Sequence, residues 1–244
     1  MVDPQLAWQG SLFDSGSPQV DVSFQGLRRL QLDERSWLDY CPGWLRGSDD
    51  LFAELLASGR WAQRELWMYD RRVAEPRLTA GWTLGEGQEP VRTWARYVHA
   101  DQEAGRADAM ASDTPAPLRR IATVLSDRYG VHFDSIWVNL YRDGRDSVAW
   151  HGDRNARVLS NPMVVTVSLG ARRRFVLRPR GTTKISHQLE PGAGDLVVMG
   201  GACQHEWQHC VPKTAKAVGP RMSVTIRHSK PAPGEHWIAT GPDG

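Results

Sequence analysis

The residues best suited to chemistry are a histidine and an aspartate two positions apart, His151 and Asp153, separated by Gly152. In an extended segment, side chains at this spacing point to the same face, so both could bind one metal ion. A later histidine would complete a set of two histidines and one carboxylate, which holds iron(II) and leaves positions open for a cosubstrate and oxygen. Most isolated pairs of this kind are surface or hydrogen-bonded residues, so the pair needs support from the rest of the chain.

Two later histidines are candidates for the third ligand. His205 and His209 lie in a β-rich run that predicts a strand at 205–211. Their even spacing places both on one face of a regular strand, so the spacing does not choose between them. The other histidines are interpreted as structural or surface residues: His99, His132, His187, His228 and His236.

A second feature lies near the end of the chain, where Arg221 and Arg227 flank five residues of a predicted strand. Six positions place both arginines on one face. Two arginines inside a folded domain are costly unless they meet anions, and a dicarboxylate would satisfy them. Asn139 and Tyr141 share a face of an earlier predicted strand and could donate hydrogen bonds to the same ligand. The alternative is a solvent-facing pair of arginines on an edge strand.

The elements that must position these residues follow from periodicity. A helix is predicted to begin at Ser48, and another to follow Pro115 and end at Gly130. After Gly130 the pattern changes to short β-rich runs separated by turn residues. Eight short strands favour a barrel or a two-sheet jelly roll. The predicted strands are 136–142, 147–150, 163–169, 173–179, 184–189, 195–199, 205–211 and 222–228.

Composition sets outer limits on function. The 244 residues carry a net charge of +2 and 41% apolar residues, with no apolar run long enough to span a bilayer. Three cysteines without a CxxC motif, and an N-terminus without signal-peptide features, favour a reduced, cytoplasmic protein. Only four of the thirty basic residues are lysines. Arginine suits phosphate recognition, but a GC-rich genome, whose codons favour arginine, is the simpler explanation, so the bias permits nucleic-acid binding without showing it.

Taken in order, these motifs resemble the AlkB family of iron(II)- and 2-oxoglutarate-dependent oxygenases. Residues 138–151 resemble the family's Asn-x-Tyr strand leading into its HxD motif, and 207–213 resemble the segment with its distal iron ligand. Residues 221–227 resemble its RxxxxxR signature. Residues 76–80 resemble a stretch of its eukaryotic nucleic-acid demethylases. The similarity covers about residues 75–228.

The resemblance implies a mostly β fold with flanking helices, built on a double-stranded β-helix (jelly-roll) core. It implies an N-terminal arm and helix at 1–60, a nucleotide-recognition segment at 61–114, the oxygenase core at 115–230 and a C-terminal tail at 231–244 of one compact domain. The implied cofactors are Fe(II), 2-oxoglutarate and O2.

Site residues are carried over from the family's motifs. His151, Asp153 and His209 would hold iron, which selects His209 over His205. Arg221, helped by Tyr141, would pair with the distal carboxylate of 2-oxoglutarate. Arg227 and Asn139 would lie near its other end. Ser223 departs from the family's usual asparagine and would lose or lengthen a hydrogen bond to the cosubstrate.

For the substrate, the resemblance implies alkylated nucleic acid that is single-stranded or has its base flipped out, bound by a monomer without membrane contact. Trp82 is the leading base-stacking candidate, and Tyr69 is a weaker one. Asn155 stands where the bacterial prototype carries an acidic residue associated with the base. Arg172 opens a run of three arginines that could contact phosphate or base, and alternation would turn the middle one to the opposite side.

The implied activity is oxidative demethylation of 1-methyladenine- or 3-methylcytosine-type bases in DNA, a direct-reversal repair. One alternative keeps this chemistry but acts on methylated RNA, tRNA or protein. A second is a non-catalytic, cupin-like metal-binding module, which would have no need for paired arginines.

Overall fold

The computed structural model describes residues 16–58, 61–68, 70–84, 110–111, 114–153 and 158–238. They form three helices and sixteen strands. The helices are α1 (Ser48–Ser58), α2 (Ala116–Tyr129) and α3 (Cys203–Glu206). The first eight strands are β1 (Gln19–Val20), β2 (Arg28–Gln31), β3 (Ser36–Cys41), β4 (Leu45–Arg46), β5 (Glu65–Met68), β6 (Arg71–Ala74), β7 (Leu78–Thr83) and β8 (Met110–Ala111). The others are β9 (Ser135–Tyr141), β10 (Val148–His151), β11 (Val164–Gly170), β12 (Phe175–Pro179), β13 (His187–Leu189), β14 (Leu196–Gly201), β15 (Trp207–Val211) and β16 (Arg221–Arg227).

Two sheets make the jelly roll. The large sheet has eight strands in the order β2-β3-β14-β11-β16-β9-β7-β8, and the small sheet has four in the order β10-β15-β12-β13. All pairs are antiparallel except β7 with β8. Strands β5 and β6 form a separate hairpin that joins α1 to the large sheet. The mostly β fold with flanking helices confirms the predicted fold class.

The large sheet separates two apolar layers. On one face, alternate residues of β16 and β9 pack with α1 and α2 in the larger core; Val224 and Ile226 belong to this layer. On the other face, a smaller core lies between the sheets, and Phe175 and Leu177 contribute to it from the small sheet. The alternation of side chains along a strand therefore decides whether a residue belongs to the helix-packed core or to the space between the sheets.

The helix predictions are confirmed. α1 begins at Ser48, and α2 follows Pro115. Gly130 ends α2 in the left-handed conformation (φ 65°), and its N–H donates to the Ser126 carbonyl oxygen. Glycine adopts this conformation without the steric cost that a side chain would add. No helix among residues 16–238 that the structure describes is both long and apolar enough to cross a membrane.

All eight predicted strands are present, with ends shifted by up to about three residues. One residue has a different secondary structure from the one predicted: His205 lies in α3 and not on β15. The prediction that His205 and His209 share one strand face is therefore wrong. The segment before residue 60 also differs from a simple arm and helix, because β2 and β3 extend the large sheet and β3 pairs with β14.

Candidate active site

The last strand brings the cosubstrate candidates together. β16 lies between β11 and β9, and its register sets Arg221 opposite Tyr141 and Ser223 opposite Asn139. Because β16 alternates, Arg221 and Arg227 face the space between the two sheets while Met222, Val224 and Ile226 join the larger core. The two arginines are thus interior residues, and the alternative of a solvent-facing edge pair is excluded.

The two histidines meet across neighbouring strands of the small sheet. His151 on β10 is the register partner of His209 on β15, and their ring centroids are 4.3 Å apart. The Nδ1 atom of His151 lies 2.8 Å from the Ala149 carbonyl oxygen, which fixes the ring. Burial lowers the pKa of both imidazoles, that of His209 to about 3. Both rings are therefore neutral near pH 7, as metal ligands must be.

Asp153 is buried beside the histidines and bonded to the second arginine of β16. Arg227 donates from Nε to Oδ2 at 2.7 Å and from Nη2 to Oδ1 at 3.2 Å. Burial raises the pKa of Asp153, but the charge and hydrogen bonds of Arg227 outweigh it, and the net pKa is far below the ordinary value. Both histidines lower it further, so all three side chains share one electrostatic environment.

The three side chains are of the types that bind iron(II), although their donor atoms do not yet surround a common metal position. In the described part of the chain, no three His, Cys, Asp or Glu side chains are already arranged as a metal site. Arg227 holds the Asp153 carboxylate, so completing the site requires that carboxylate to turn or to be shared. Two neutral imidazoles and one carboxylate form the set that binds iron(II) in nonhaem oxygenases, with open positions for cosubstrate and oxygen.

Arg221 provides the clearest demand for an anion. Its side chain is wholly buried, and Nη2 donates to the Ser168 hydroxyl at 2.9 Å. Its Nε and Nη1 atoms have no hydrogen-bond partner within the described part of the chain. The Tyr141 ring centroid lies 5.3 Å from the guanidinium carbon. Burial lowers the pKa of Arg221, and a buried charge without a counterion is unfavourable. A carboxylate of a dicarboxylic acid would satisfy both free donors.

The residues predicted for the other end of 2-oxoglutarate have protein partners. Arg227 bonds Asp153, and the Asn139 side-chain oxygen accepts from Arg77 Nε at 3.0 Å. Arg77 also bonds Glu75 at 3.0 Å, and both side chains are largely buried. The role of Arg227 and Asn139 at the cosubstrate stays a prediction. Sequence analysis missed Arg77 as a site residue because its partner Asn139 is 62 positions away along the chain.

A second missed residue, Gln204, holds the turn that carries the metal ligands. It lies in α3 with no exposed surface, and its Oε1 accepts from the Asp153 backbone N–H at 2.9 Å. Between His151 and Asp153, a Cβ on Gly152 would come within 2.6 Å of the Gln204 carbonyl oxygen and 2.9 Å of Arg180 Nη2. Only glycine allows this close approach. Gly152 therefore lets α3 pack against the turn, and the Gln204 hydrogen bond orients Asp153.

The structure does not place the predicted substrate residues around this site. Trp82 is 4% exposed and belongs to the larger core, on the face of β7 that packs with the helices. This burial gives no support to the prediction that Trp82 stacks on a base, because that face points away from the space between the sheets; the stacking role stays a prediction. Arg172 is exposed and donates to the Glu190 carbonyl oxygen, and no described contact joins it to the histidines. Tyr69 and Asn155 lie outside the described residues.

The comparisons with known proteins agree with this geometry. Residues 38–227 match the family model described as the 2OG-Fe(II) oxygenase superfamily. The alkB homolog 3 dioxygenase of Bos taurus is 30% identical over 238 residues, covering 91% of this chain and 74% of that protein. The DNA oxidative demethylase ALKBH2 of Arabidopsis thaliana is 32% identical over 120 residues, or 40% of this chain and 38% of that protein.

A solved structure entitled OsALKBH1 shares the fold, with a TM-score of 0.54 at 14% identity, and covers 82% of this chain and all of that one. The family's chemistry uses Fe(II), 2-oxoglutarate and O2. The match over most of the chain and the interior set of histidines, carboxylate and arginines lead to one conclusion: this chain belongs to the AlkB family of 2OG-Fe(II) oxygenases, and it is a 2-oxoglutarate-dependent dioxygenase.

Proposed function

We propose that this dioxygenase removes methyl groups from N-methylated bases of the 1-methyladenine and 3-methylcytosine type, in DNA that is single-stranded or has the base flipped out. The observation that carries the proposal is the pair of unpartnered donors, Nε and Nη1, on the Arg221 guanidinium, which faces the same interior as the His151–His209 pair. This arrangement supports a dicarboxylate cosubstrate beside a metal. The name of the relative ALKBH2, a DNA oxidative demethylase, supports DNA as the substrate.

The reaction is balanced by its cosubstrates. One atom of O2 enters succinate as 2-oxoglutarate loses carbon dioxide, and the other enters the C–H bond of the methyl group. The resulting N-hydroxymethyl group breaks its C–N bond, and formaldehyde and the unmodified base leave. The bound iron supplies the oxidising chemistry. The protein binds 2-oxoglutarate through Arg221, orients the ligands through Gln204 and Arg227, and excludes water from the interior.

The β5–β6 hairpin supports nucleic acid as the substrate class. Trp67 is 63% exposed on β5, and its register partner on β6 is the exposed Arg72. An exposed aromatic ring beside arginines is the combination that stacks on bases and binds phosphates. The hairpin ends beside the site, because Glu75, next after β6, bonds the Arg77 that holds Asn139. Trp67 thus takes the stacking role that sequence analysis gave to Trp82.

Mass spectrometry of a modified oligonucleotide tests the proposal. A single-stranded DNA with one 1-methyladenine is incubated with protein, iron(II), ascorbate and oxygen, with and without 2-oxoglutarate. We expect loss of one methyl group only when 2-oxoglutarate is present, with stoichiometric succinate and formaldehyde. An RNA of the same sequence is the parallel sample. Methyl loss from RNA alone would move the substrate to RNA, and succinate without methyl loss from either would overturn the proposal for nucleic acid.

A further inference from the structure

Strand β12 and its flanks carry an unusual set of arginines that the active site does not use. Five arginines occur within nine residues, namely Arg172, Arg173, Arg174, Arg178 and Arg180. Within the described ranges, the ion pairs of the molecule involve other arginines: Arg29, Arg35, Arg72, Arg77, Arg142, Arg145 and Arg227. The β12 arginines bond neutral oxygens instead. No described carboxylate is therefore hydrogen-bonded to an arginine of this strand or its flanks.

Not all five arginines face solvent. Arg173 is buried and donates to the carbonyl oxygens of Asp143, Asp146 and Pro212, which makes it a structural residue. Its neighbours on either side are exposed, as alternation predicts. Arg180 bonds the His205 carbonyl oxygen next to the metal-ligand turn. Of the remaining three arginines, Arg172 donates to the Glu190 carbonyl oxygen, whereas Arg174 and Arg178 bond side chains of the neighbouring strands on the outer face of the small sheet.

These two arginines form matching pairs with glutamines on the neighbouring strands. Arg174 donates to Gln188 Oε1 from Nε at 3.2 Å and from Nη2 at 2.8 Å. Arg178 donates to Gln208 Oε1 from the same two atoms, at 3.2 and 3.1 Å. An amide oxygen orients a guanidinium group without cancelling its charge. The Glu190 carboxylate accepts from Gln188 Nε2 at 3.5 Å and makes no described hydrogen bond with either arginine.

The outer face also carries an aromatic ring next to the active site. The guanidinium carbon of Arg178 lies 4.1 Å from the Trp150 ring centroid. Strand β10 is irregular between Val148 and His151, so the contact with Arg178 and not simple alternation places the Trp150 ring on the outer face of the small sheet. Strand β10 is an edge of the small sheet. Trp150 thus lies on the edge strand, and Arg178 and Arg174 lie on and next to β12, two strands further into the small sheet.

We propose that this outer face, formed by Trp150, Gln208, Arg178, Gln188 and Arg174, binds the phosphate backbone of a single-stranded nucleic acid whose modified base occupies the active site. The proposal rests on the proposed function and adds a second contact surface to it. Charge complementarity selects the occupant, because arginines with free positive charge and glutamine amides are typical phosphate-binding groups.

Salt-dependent binding tests the surface directly. Binding of a fluorescein-labelled single-stranded DNA with one 1-methyladenine is measured by anisotropy across a range of salt concentrations. The full chain is loaded with 2-oxoglutarate and with manganese(II), which does not support turnover. The test variant is Arg174→Gln combined with Arg178→Gln. The matched control is Arg28→Gln combined with Arg145→Gln, which removes two positive charges from exposed sites elsewhere. Thermal unfolding verifies that both variants are folded.

We expect the test variant to reduce the slope of log affinity against log salt by about 1.4, since each lost phosphate contact on a single strand removes about 0.7. The control should keep the wild-type slope. An unchanged slope in the test variant, an equal loss in the control, or no binding by the wild type would each overturn the proposal. Failure of the proposed function is a separate result, because it shows as absent methyl loss in the mass-spectrometric assay whatever the slopes are.

Discussion

The space between the two sheets and the surfaces around it follow different rules. In the interior, β-sheet register places His151 opposite His209 and Arg221 opposite Tyr141, so strand pairing decides which side chains are neighbours. Away from this interior, Trp67 and Trp82 lie fifteen positions apart in similar β-rich surroundings, yet Trp67 is 63% exposed and Trp82, in the larger core, only 4%. Chemistry in the interior is therefore set by backbone pairing, and recognition outside is set by which residues the fold leaves uncovered.

The largest effect should come from removing a metal ligand. Changing Asp153 to Ala should lower 2-oxoglutarate turnover by more than about 100-fold, since even changes behind the ligands cost 10–100-fold. Measuring manganese(II) binding by electron paramagnetic resonance gives a readout that does not depend on turnover. The control is Asp143→Ala, which removes an exposed-side carboxylate bonded to Arg145 and should change neither quantity. Wild-type metal affinity in the Asp153 variant would contradict the ligand assignment.

The next effect should appear at the cosubstrate arginine, with opposite signs for binding and stability. Changing Arg221 to Met should raise the 2-oxoglutarate concentration needed for turnover by about 30-fold or more, because a buried charge partner is lost. The same change should stabilise the cosubstrate-free protein by about 1 kcal/mol or more, because a buried charge without a counterion is removed. Urea unfolding and succinate formation measure the two quantities.

Arg173 provides the matched control for that experiment. It is also buried and close to Tyr141, but three carbonyl oxygens accept its hydrogen bonds. Changing Arg173 to Met should therefore destabilise the protein, the reverse of the Arg221 result, since it leaves buried acceptors unsatisfied. Equal destabilisation of both variants would contradict the interpretation that Arg221 is a buried charge without a counterion in the cosubstrate-free protein.

A smaller effect is expected at Gln204, which acts through the backbone of Asp153. Changing Gln204 to Met keeps the size of the side chain and removes the acceptor for the Asp153 N–H. We expect about a tenfold loss in manganese(II) affinity, the lower end of what supporting residues contribute. Gln204→Glu keeps an acceptor oxygen and should recover part of that affinity. Equal affinities in the Met variant and the wild type would reduce Gln204 to a packing residue.

The sequence predicts features that depend on local periodicity, but not those that depend on contacts between distant parts of the chain. The eight core strands and both long helices follow from local periodicity, and so does the face shared by Arg221 and Arg227. The position of His205 does not, because a single helical turn at Cys203–Glu206 leaves no periodic signal. The Arg77–Asn139 and Gln204–Asp153 bonds join residues 62 and 51 positions apart, which only the tertiary fold brings together.

Exposure is the other quantity that local pattern did not give. Trp82 and Ala80 share the face of β7 that packs in the larger core, whereas Trp67 lies on a two-stranded hairpin and is 63% exposed among the described residues. The identity of the two side chains is the same, so propensity cannot separate them. The layer packed against each strand decides the outcome, and that layer comes from distant parts of the chain.

The smallest effect should separate these two tryptophans. Changing Trp67 to Ala should weaken binding of single-stranded DNA by about fivefold or more, which corresponds to the loss of one stacked base at about 1 kcal/mol. Its unfolding free energy should stay close to that of the wild type, because the ring is mostly in solvent. Changing Trp82 to Phe should do the reverse, lowering stability through a cavity in the larger core while leaving DNA affinity within about twofold. Anisotropy and urea unfolding on the same two variants decide the matter. A loss of affinity in the Trp82 variant at unchanged stability would return the stacking role to Trp82 and would mean that the substrate enters from the helix-packed side.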